Sequence, residues 1–276
     1  MGKVDLHVHT TASDGKFTPA EIVQKASVGG LVYISITDHD SIDGVVPAQE
    51  AARNSDQLTV IGGVEINTDV PSGELHVLGY YIDTANLELK KKLESLRESR
   101  IERARKMLAK LRRLGINVEY ERVKELAGTG SVGRPHIAQA MLEKAYINTF
   151  KEAFDKYIGR NCPAYVERDK ITPAGAVQLI LRAKGLPVLA HPFTCPNHES
   201  IIKELKSEGL IGLEVYYKDH TPEQVQDLLR LTRLFDLVPT GGSDFHGLDS
   251  LNEPPLGTLE VPVESAQLLK EKLLGG

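Results

Sequence analysis

Histidines and acidic residues recur at short intervals in this chain. The stretch DLHVHTTASDG, residues 5–15, places His7 and His9 two positions apart, with Asp14 shortly after them. In a β-strand, residues two apart project from the same side. His7, His9 and Asp14 would therefore offer imidazole nitrogens and carboxylate oxygens together, and these are ligands that divalent cations accept. The spacing predicts a metal site at the end of the first strand.

The same residue types recur at or near the ends of later apolar segments. Asp244 and His246 in GGSDFH repeat the spacing of two. Imidazoles and carboxylates buried together without a cation would be costly to desolvate and would repel their like-charged neighbours. Bound cations remove that difficulty, so the set predicts a centre with more than one metal. The further candidates are His39, Glu65, His76, His191, Asp244 and His246.

The elements that must position these side chains form an α/β pattern. A first strand is expected from about residue 3, and apolar segments at 31–36, 58–66, 75–82, 186–190, 211–217 and 237–243 also predict strands. Thr18, Thr172 and Thr221 each precede a proline, which is typical of helix starts. Near-continuous apolar strands between helices predict a parallel sheet, most simply a distorted (β/α) barrel. The carboxyl ends of barrel strands gather on one face, and closure makes the first and last strands neighbours.

The middle of the chain, residues 85–168, has only helical signal. Residues 90–113 contain eleven Lys or Arg and three Glu. This basic run is either a solvated helix face or a surface that attracts phosphates. We therefore expect a barrel domain of residues 1–84 and 169–276, with a helical insertion of residues 85–168 that acts as a lid. The apolar stripe expected on its long helix is Leu93, Leu96, Ala104, Leu108, Leu111 and Leu114.

Composition narrows the functional class. The net charge of the 276 residues is −5, which argues against non-specific binding of nucleic acid by the whole molecule. The two cysteines, Cys162 and Cys195, form no C-x-x-C motif, which favours a reducing compartment and disfavours a thiolate zinc site. We expect a cytoplasmic protein without a signal peptide or membrane segment.

The motifs DLHVHTTASDG, ITDHDSIDG, GVEI, LAHP and GGSDFHG resemble those of the PHP (polymerase and histidinol phosphatase) phosphoesterases. The resemblance covers nearly the whole chain, including GSVGRPHIA in the insertion. It is strongest to the small nucleoside 3′,5′-bisphosphate phosphatases that also act as 5′-to-3′ exoribonucleases on short RNA. It implies an α/β fold, a distorted (β/α)7 barrel of the PHP type, and about three divalent cations per chain, usually manganese and sometimes zinc or iron.

The resemblance also implies roles for the candidate ligands. Glu65, Asp244 and His191 would be catalytic, and the expected reaction is hydrolysis of phosphomonoesters by attack of a metal-bound hydroxide on phosphorus. The proton donor to the leaving oxygen is left open between a metal-bound water, Asp40 and His191. The implied ligands are His7, His9, Glu65 and Asp244 for one cation, Asp14, His39 and His246 for a second, and His76, His191 and the bridging Glu65 for a third.

Arg134 is the main candidate for binding substrate. It precedes Pro135 at the start of a predicted helix, where its charge opposes the helix dipole. A bound phosphate would relieve that opposition by accepting hydrogen bonds from the guanidinium and from free backbone N–H groups. Ser131 and His220 are further candidates for contact with substrate. Arg134 and His220 each have a plainer interpretation as an exposed residue.

From the resemblance we expect hydrolysis of the 3′-phosphate of nucleoside 3′,5′-bisphosphates, with short RNA as a further substrate. The partners are then small phosphorylated molecules, with no membrane and no obligate protein partner. The alternatives are a histidinol-phosphate phosphatase and a non-catalytic metal-binding PHP module. Amidohydrolases also use a His-x-His strand, but they commonly include a carbamylated lysine, and no lysine occupies a predicted strand end here.

Overall fold

The computed structural model describes residues 2–55, 57–68, 70, 75–128, 132–167, 171–248 and 253–275. The chain divides into two compact units. The barrel unit consists of Met1–Lys91 and Lys170–Gly276, and the helical unit consists of Lys92–Asp169.

Within the described residues, the barrel unit contains seven strands that neighbour one another in chain order. All adjacent strands are parallel except that β4 is antiparallel to β3 and β5, so the expectation of an entirely parallel sheet is wrong at β4. Only residues 68–75 separate β3 from β4, and a parallel crossover needs a longer connection. The strands are β1 (Lys3–Val8), β2 (Leu31–Ile36), β3 (Thr59–Asn67), β4 (His76–Tyr80), β5 (Leu186–Leu189), β6 (Gly212–Tyr217) and β7 (Val238–Gly242).

The reversal of β4 explains how a residue at the start of a strand joins residues at the ends of others. His76, the first residue of β4, pairs with Asn67 at the end of β3. The Ala190 N–H, just after β5, donates to the His76 carbonyl oxygen at 3.1 Å. The start of β4 therefore lies at the same edge of the sheet as the carboxyl ends of β3 and β5.

The barrel is nearly closed between its first and last strands. Val8 forms a parallel bridge with Phe245, and the His9 N–H donates to the Phe245 carbonyl oxygen at 2.9 Å. Gly242 permits this close approach, because a Cβ at that position would overlap the backbone of His7. The α/β fold, a distorted (β/α)7 barrel, is confirmed.

The three expected threonine caps are present. Thr18, Thr172 and Thr221 each accept a hydrogen bond from a backbone N–H three residues later, and a proline begins each helix. The helices are α1 (Pro19–Val28), α2 (Val45–Ala51), α3 (Leu87–Arg113), α4 (Tyr120–Ala127), α5 (Arg134–Glu143), α6 (Phe150–Ala153), α7 (Pro173–Arg182), α8 (His198–Ser207), α9 (Pro222–Phe235) and α10 (Val263–Gly275). No described helix is both long enough and apolar enough to span a bilayer.

The helical unit has an apolar core of its own. Met107 and Leu111 of α3 are buried in it with Ile137 and Met141 of α5. The expected stripe on α3 is buried at five of its six positions, but Leu114 is 47% exposed. The reason is that α3 ends at Arg113, so Leu114 lies beyond the helix and outside its periodicity.

Candidate metal centre

His7 and His9 project toward the same pair of carboxylates. Both Nε2 atoms lie 3.4 Å from Glu65 Oε2. The distance to Asp244 Oδ1 is 3.4 Å from His7 Nε2 and 3.0 Å from His9 Nε2. The alternation of side chains along β1 brings the histidines to one side, and the closure between β1 and β7 supplies Asp244. These four residues form a group whose potential ligand atoms lie within 4.8 Å of one another.

A second group combines the loop after β1 with the segments after β2 and β7. His246 Nε2 lies 3.4 Å from Asp14 Oδ1, and His39 Nε2 lies 3.9 Å from Asp14 Oδ2. His9 belongs to this group as well, with its Nδ1 3.8 Å from Asp14 Oδ1. The structure thus brings together the three residues that the family resemblance assigns to one cation, and adds His9 to them.

Glu65 connects this region to a third group, formed by His39, Glu65 and His76. Glu65 Oε1 lies 2.8 Å from His76 Nδ1 and 3.1 Å from His191 Nε2. His39 Nδ1 approaches the other oxygen of Glu65 at 2.7 Å. His191 therefore reaches Glu65 as expected, although its nitrogens do not belong to the third group.

The donor set fits divalent cations. Five buried atoms at the centre of the site make no well-formed hydrogen bond among the described residues, although some have polar neighbours at short distance. They are His7 Nε2, both ring nitrogens of His9, Asp14 Oδ1 and Glu65 Oε2. Buried polar atoms without partners are rare and costly, and coordination of a cation would satisfy them. The mixture of imidazole and carboxylate ligands suits borderline metals such as manganese, zinc and iron.

The charges of the site are strongly coupled. Burial alone would raise the pKa of Glu65, but His39, His76 and His7 hold that pKa well below its ordinary value. Burial would lower the pKa of His7, but Glu214, Glu65 and Asp244 raise it well above its ordinary value. His9 behaves differently, since burial and then the neighbouring His246 lower its pKa to about 3. His9 is thus already in the neutral form that a metal ligand requires.

Two buried carboxylates that are not among the predicted site residues support this site. Glu214 of β6 lies 2.8 Å from His7 Nδ1 through Oε1, and its Oε2 accepts the His191 N–H at 2.7 Å. Asp38 accepts hydrogen bonds from the Thr10 N–H and from the Ser13 hydroxyl, which shape the loop leading to Asp14. Burial, only partly offset by those hydrogen bonds, raises the pKa of Asp38 to about 6. A signal existed for Glu214, because it is a charged residue inside an apolar strand.

The three substrate candidates have different surroundings. Arg134 begins α5 and, with Arg100 and Arg103 of α3, lines a small cavity within the helical unit. His220 directs its Nδ1 to the Val215 carbonyl oxygen at 2.9 Å and belongs to none of the three donor groups. Ser131 lies outside the described residues.

Comparison with known proteins identifies the family. Residues 5–248 match the PHP domain, which is most of the chain. This chain belongs to the PHP family. It is 33% identical over 248 residues to a 5′-3′ exoribonuclease of Haemophilus influenzae, covering 88% of this chain and 90% of that protein. It is 30% identical over 251 residues to a 3′,5′-nucleoside bisphosphate phosphatase of Chromobacterium violaceum, covering 89% and 88%.

The structural comparison agrees with the family. A crystal structure from Bifidobacterium adolescentis, assigned as a metal-dependent phosphoesterase, superposes with a TM-score of 0.88 at 27% identity, covering 100% of this chain and 99% of that one. The expectation of an enzyme that hydrolyses phosphoric esters with the help of metal ions is confirmed at the level of the reaction class.

Proposed function

We propose that this PHP enzyme removes the 3′-phosphate from nucleoside 3′,5′-bisphosphates and degrades short RNA from the 5′ end. The observation that carries the proposal is the set of three adjoining donor groups, two of which share Glu65 and two of which share His9. The family relationship supports it, because relatives with these two activities align over most of the chain. The site of action would be the cytoplasm.

The chain's own residues have distinct tasks in this proposal. His7, His9, Glu65 and Asp244 would hold one cation, Asp14, His39 and His246 a second, and His76, His191 and Glu65 a third. Divalent cations bound there supply Lewis acidity and a water that is acidic enough to be activated at neutral pH. Glu65, Asp244 and His191 would keep this centre rigid beside the scissile phosphate, since positioning and charge stabilisation dominate phosphoryl transfer. Manganese is the proposed metal.

The second phosphate of the substrate would bind to the arginines of the helical unit, the insertion that we propose acts as a lid. Arg134 lines its cavity together with Arg100 and Arg103. Burial, with added repulsion from Arg134 and Arg100, lowers the pKa of Arg103 to about 10. A phosphate dianion would offset that repulsion, and guanidinium groups bind phosphate oxygens through two parallel hydrogen bonds. Ser131 and His220 would add weaker contacts.

A phosphate-release assay on the purified, manganese-loaded protein tests the proposal. The substrates are adenosine 3′,5′-bisphosphate, histidinol phosphate and a short RNA with a 5′-phosphate. We expect release from the bisphosphate and mononucleotides from the RNA, with little release from histidinol phosphate. A preference for histidinol phosphate would instead identify the alternative phosphatase. Cation binding without hydrolysis of any of the three substrates would favour a non-catalytic metal-binding module.

A further inference from the structure

Asp244 is held from outside the metal centre by two residues at the end of the neighbouring strand. Tyr217, the last residue of β6, donates its hydroxyl to Asp244 Oδ2 at 3.1 Å. Lys218, the next residue, donates from Nζ to the same Oδ2 at 3.2 Å and to the Asp244 carbonyl oxygen at 3.2 Å. Lys218 therefore donates hydrogen bonds to both the side chain and the backbone of Asp244.

The two oxygens of Asp244 consequently have different roles. Oδ2 faces Lys218 and Tyr217, whereas Oδ1 faces the histidines of β1, 3.0 Å from His9 Nε2. This division leaves Oδ1 alone to reach a cation shared with His7, His9 and Glu65. Asp244 would thus coordinate through a single oxygen in a fixed direction.

The backbone conformation of Asp244 is a second reason why contacts around this residue matter. Its φ is +52°, in the left-handed region that residues with a Cβ rarely adopt. Such a conformation persists only where surrounding contacts impose it. The Asp244 carbonyl oxygen lies near two such contacts, Lys218 Nζ at 3.2 Å and His246 Nδ1 at 3.0 Å.

The location of Lys218 follows from the sheet. β6 and β7 are parallel neighbours, and Tyr217 pairs with Gly242 two residues before Asp244. The residue that follows β6 therefore lies beside the residues that follow β7. Lys218 is 21% exposed at its side chain, and Asp244 is 15% exposed, so their ion pair is well shielded from water.

We propose that Lys218, assisted by Tyr217, is a positioning residue that fixes Asp244 Oδ1 toward the cation of the His7, His9, Glu65 and Asp244 group. The inference rests on the proposed metal centre. It runs against simple electrostatics, because an ammonium group near a cation repels it. Removal of Lys218 therefore distinguishes the two effects by the sign of the change in affinity.

The test measures cation binding without substrate. Manganese affinity and stoichiometry are determined by competition with a chelator for the wild type, Lys218→Met, Lys218→Arg and Tyr217→Phe, with thermal unfolding of the metal-free proteins as a check on folding. We expect Lys218→Met to lower the affinity for one cation 10- to 100-fold, which is the usual effect of losing such a supporting contact. Binding of the other cations should not change. Lys218→Arg should restore most of that affinity, because a guanidinium can donate to both oxygens. Tyr217→Phe should have a smaller effect in the same direction.

Matched controls are available on nearby elements. Lys203→Met removes an exposed lysine from α8, and Tyr216→Phe removes the hydroxyl next to Tyr217 on β6, where adjacent side chains point to opposite faces. Both should bind manganese as the wild type does. Unchanged or tighter binding by Lys218→Met would overturn the inference, whereas a wild-type protein that binds no manganese would overturn the proposed function itself.

Discussion

Glu214 and His7 form a buried pair, with Glu214 Oε1 2.8 Å from His7 Nδ1 and both side chains fully inaccessible to solvent. When Nδ1 of a neutral His7 donates to the carboxylate, the Nε2 lone pair would be available to a cation bound beside Glu65 and Asp244. This is the arrangement in which an outer carboxylate fixes the tautomer and the orientation of a metal-ligating histidine. Glu214 also accepts the His191 N–H at 2.7 Å, so one carboxylate orients candidate ligands from two strands.

Glu214→Gln should weaken manganese binding about 10- to 100-fold, because an amide orients the imidazole less strongly and makes it a poorer ligand. Chelator competition measures the affinity. Glu204→Gln, on the exposed face of α8, is the matched control and should bind manganese normally. If Glu214→Gln bound manganese as tightly as the control, Glu214 would be only a packing residue.

Most of the site could be predicted because its residues follow local rules. The alternation along β1 placed His7 and His9 on one side, and the tendency of strand ends to meet brought in Asp244 and His246. Glu65 and His191 were predicted in the same way. The threonine caps gave three helix starts, since capping depends on only a few consecutive residues.

The features that could not be predicted from the sequence depend on tertiary contacts. The antiparallel direction of β4 follows from the short connection after β3, which apolar patterning does not reveal. Lys218 and Tyr217 acquire a role only because β6 ends beside β7. Glu214 stands out in sequence as a charge inside an apolar strand, but its role depends on its partner His7, 207 residues away in sequence. The exposure of Leu114 depends on where α3 ends, which the apolar periodicity does not reveal.

Cation binding should release protons at neutral pH. Burial lowers the pKa of His246, but Asp14 and Asp244 more than compensate and raise it to about 10, and the carboxylates around His7 act in the same direction. Both imidazoles are therefore protonated at pH 7 in the metal-free site and must lose a proton to become ligands. Affinity for manganese should accordingly rise with pH up to about pH 10, the pKa of His246. Titration calorimetry in buffers of different ionisation enthalpy measures the release, and binding heats that did not depend on the buffer would contradict it.

Arg134→Ala should raise KM for adenosine 3′,5′-bisphosphate about tenfold or more, because charge-assisted hydrogen bonds to a phosphate are each worth about 1.5–3 kcal/mol. Manganese content should not change, since Arg134 is not among the donor groups. Steady-state kinetics and metal analysis test both statements. Arg112→Ala removes the same charge from the exposed end of α3 and should leave KM nearly unchanged. Equal values of KM for the two variants would remove Arg134 from the substrate site.

Gly242→Ala tests whether barrel closure aligns the two halves of the metal centre. A Cβ at Gly242 would overlap the backbone of His7, so β7 must move away from β1. Overpacking of this kind costs about 1–3 kcal/mol of unfolding free energy. The same movement would separate Asp244 from His7 and His9, and manganese binding should weaken along with stability. Denaturant unfolding of the metal-free protein and chelator competition measure the two effects.

Gly275→Ala at the end of α10, where nothing lies within 4 Å of an added Cβ, is the control for Gly242→Ala. Because the closure model requires both losses together, a Gly242→Ala protein that lost stability but kept full manganese affinity would separate barrel closure from the alignment of the ligands.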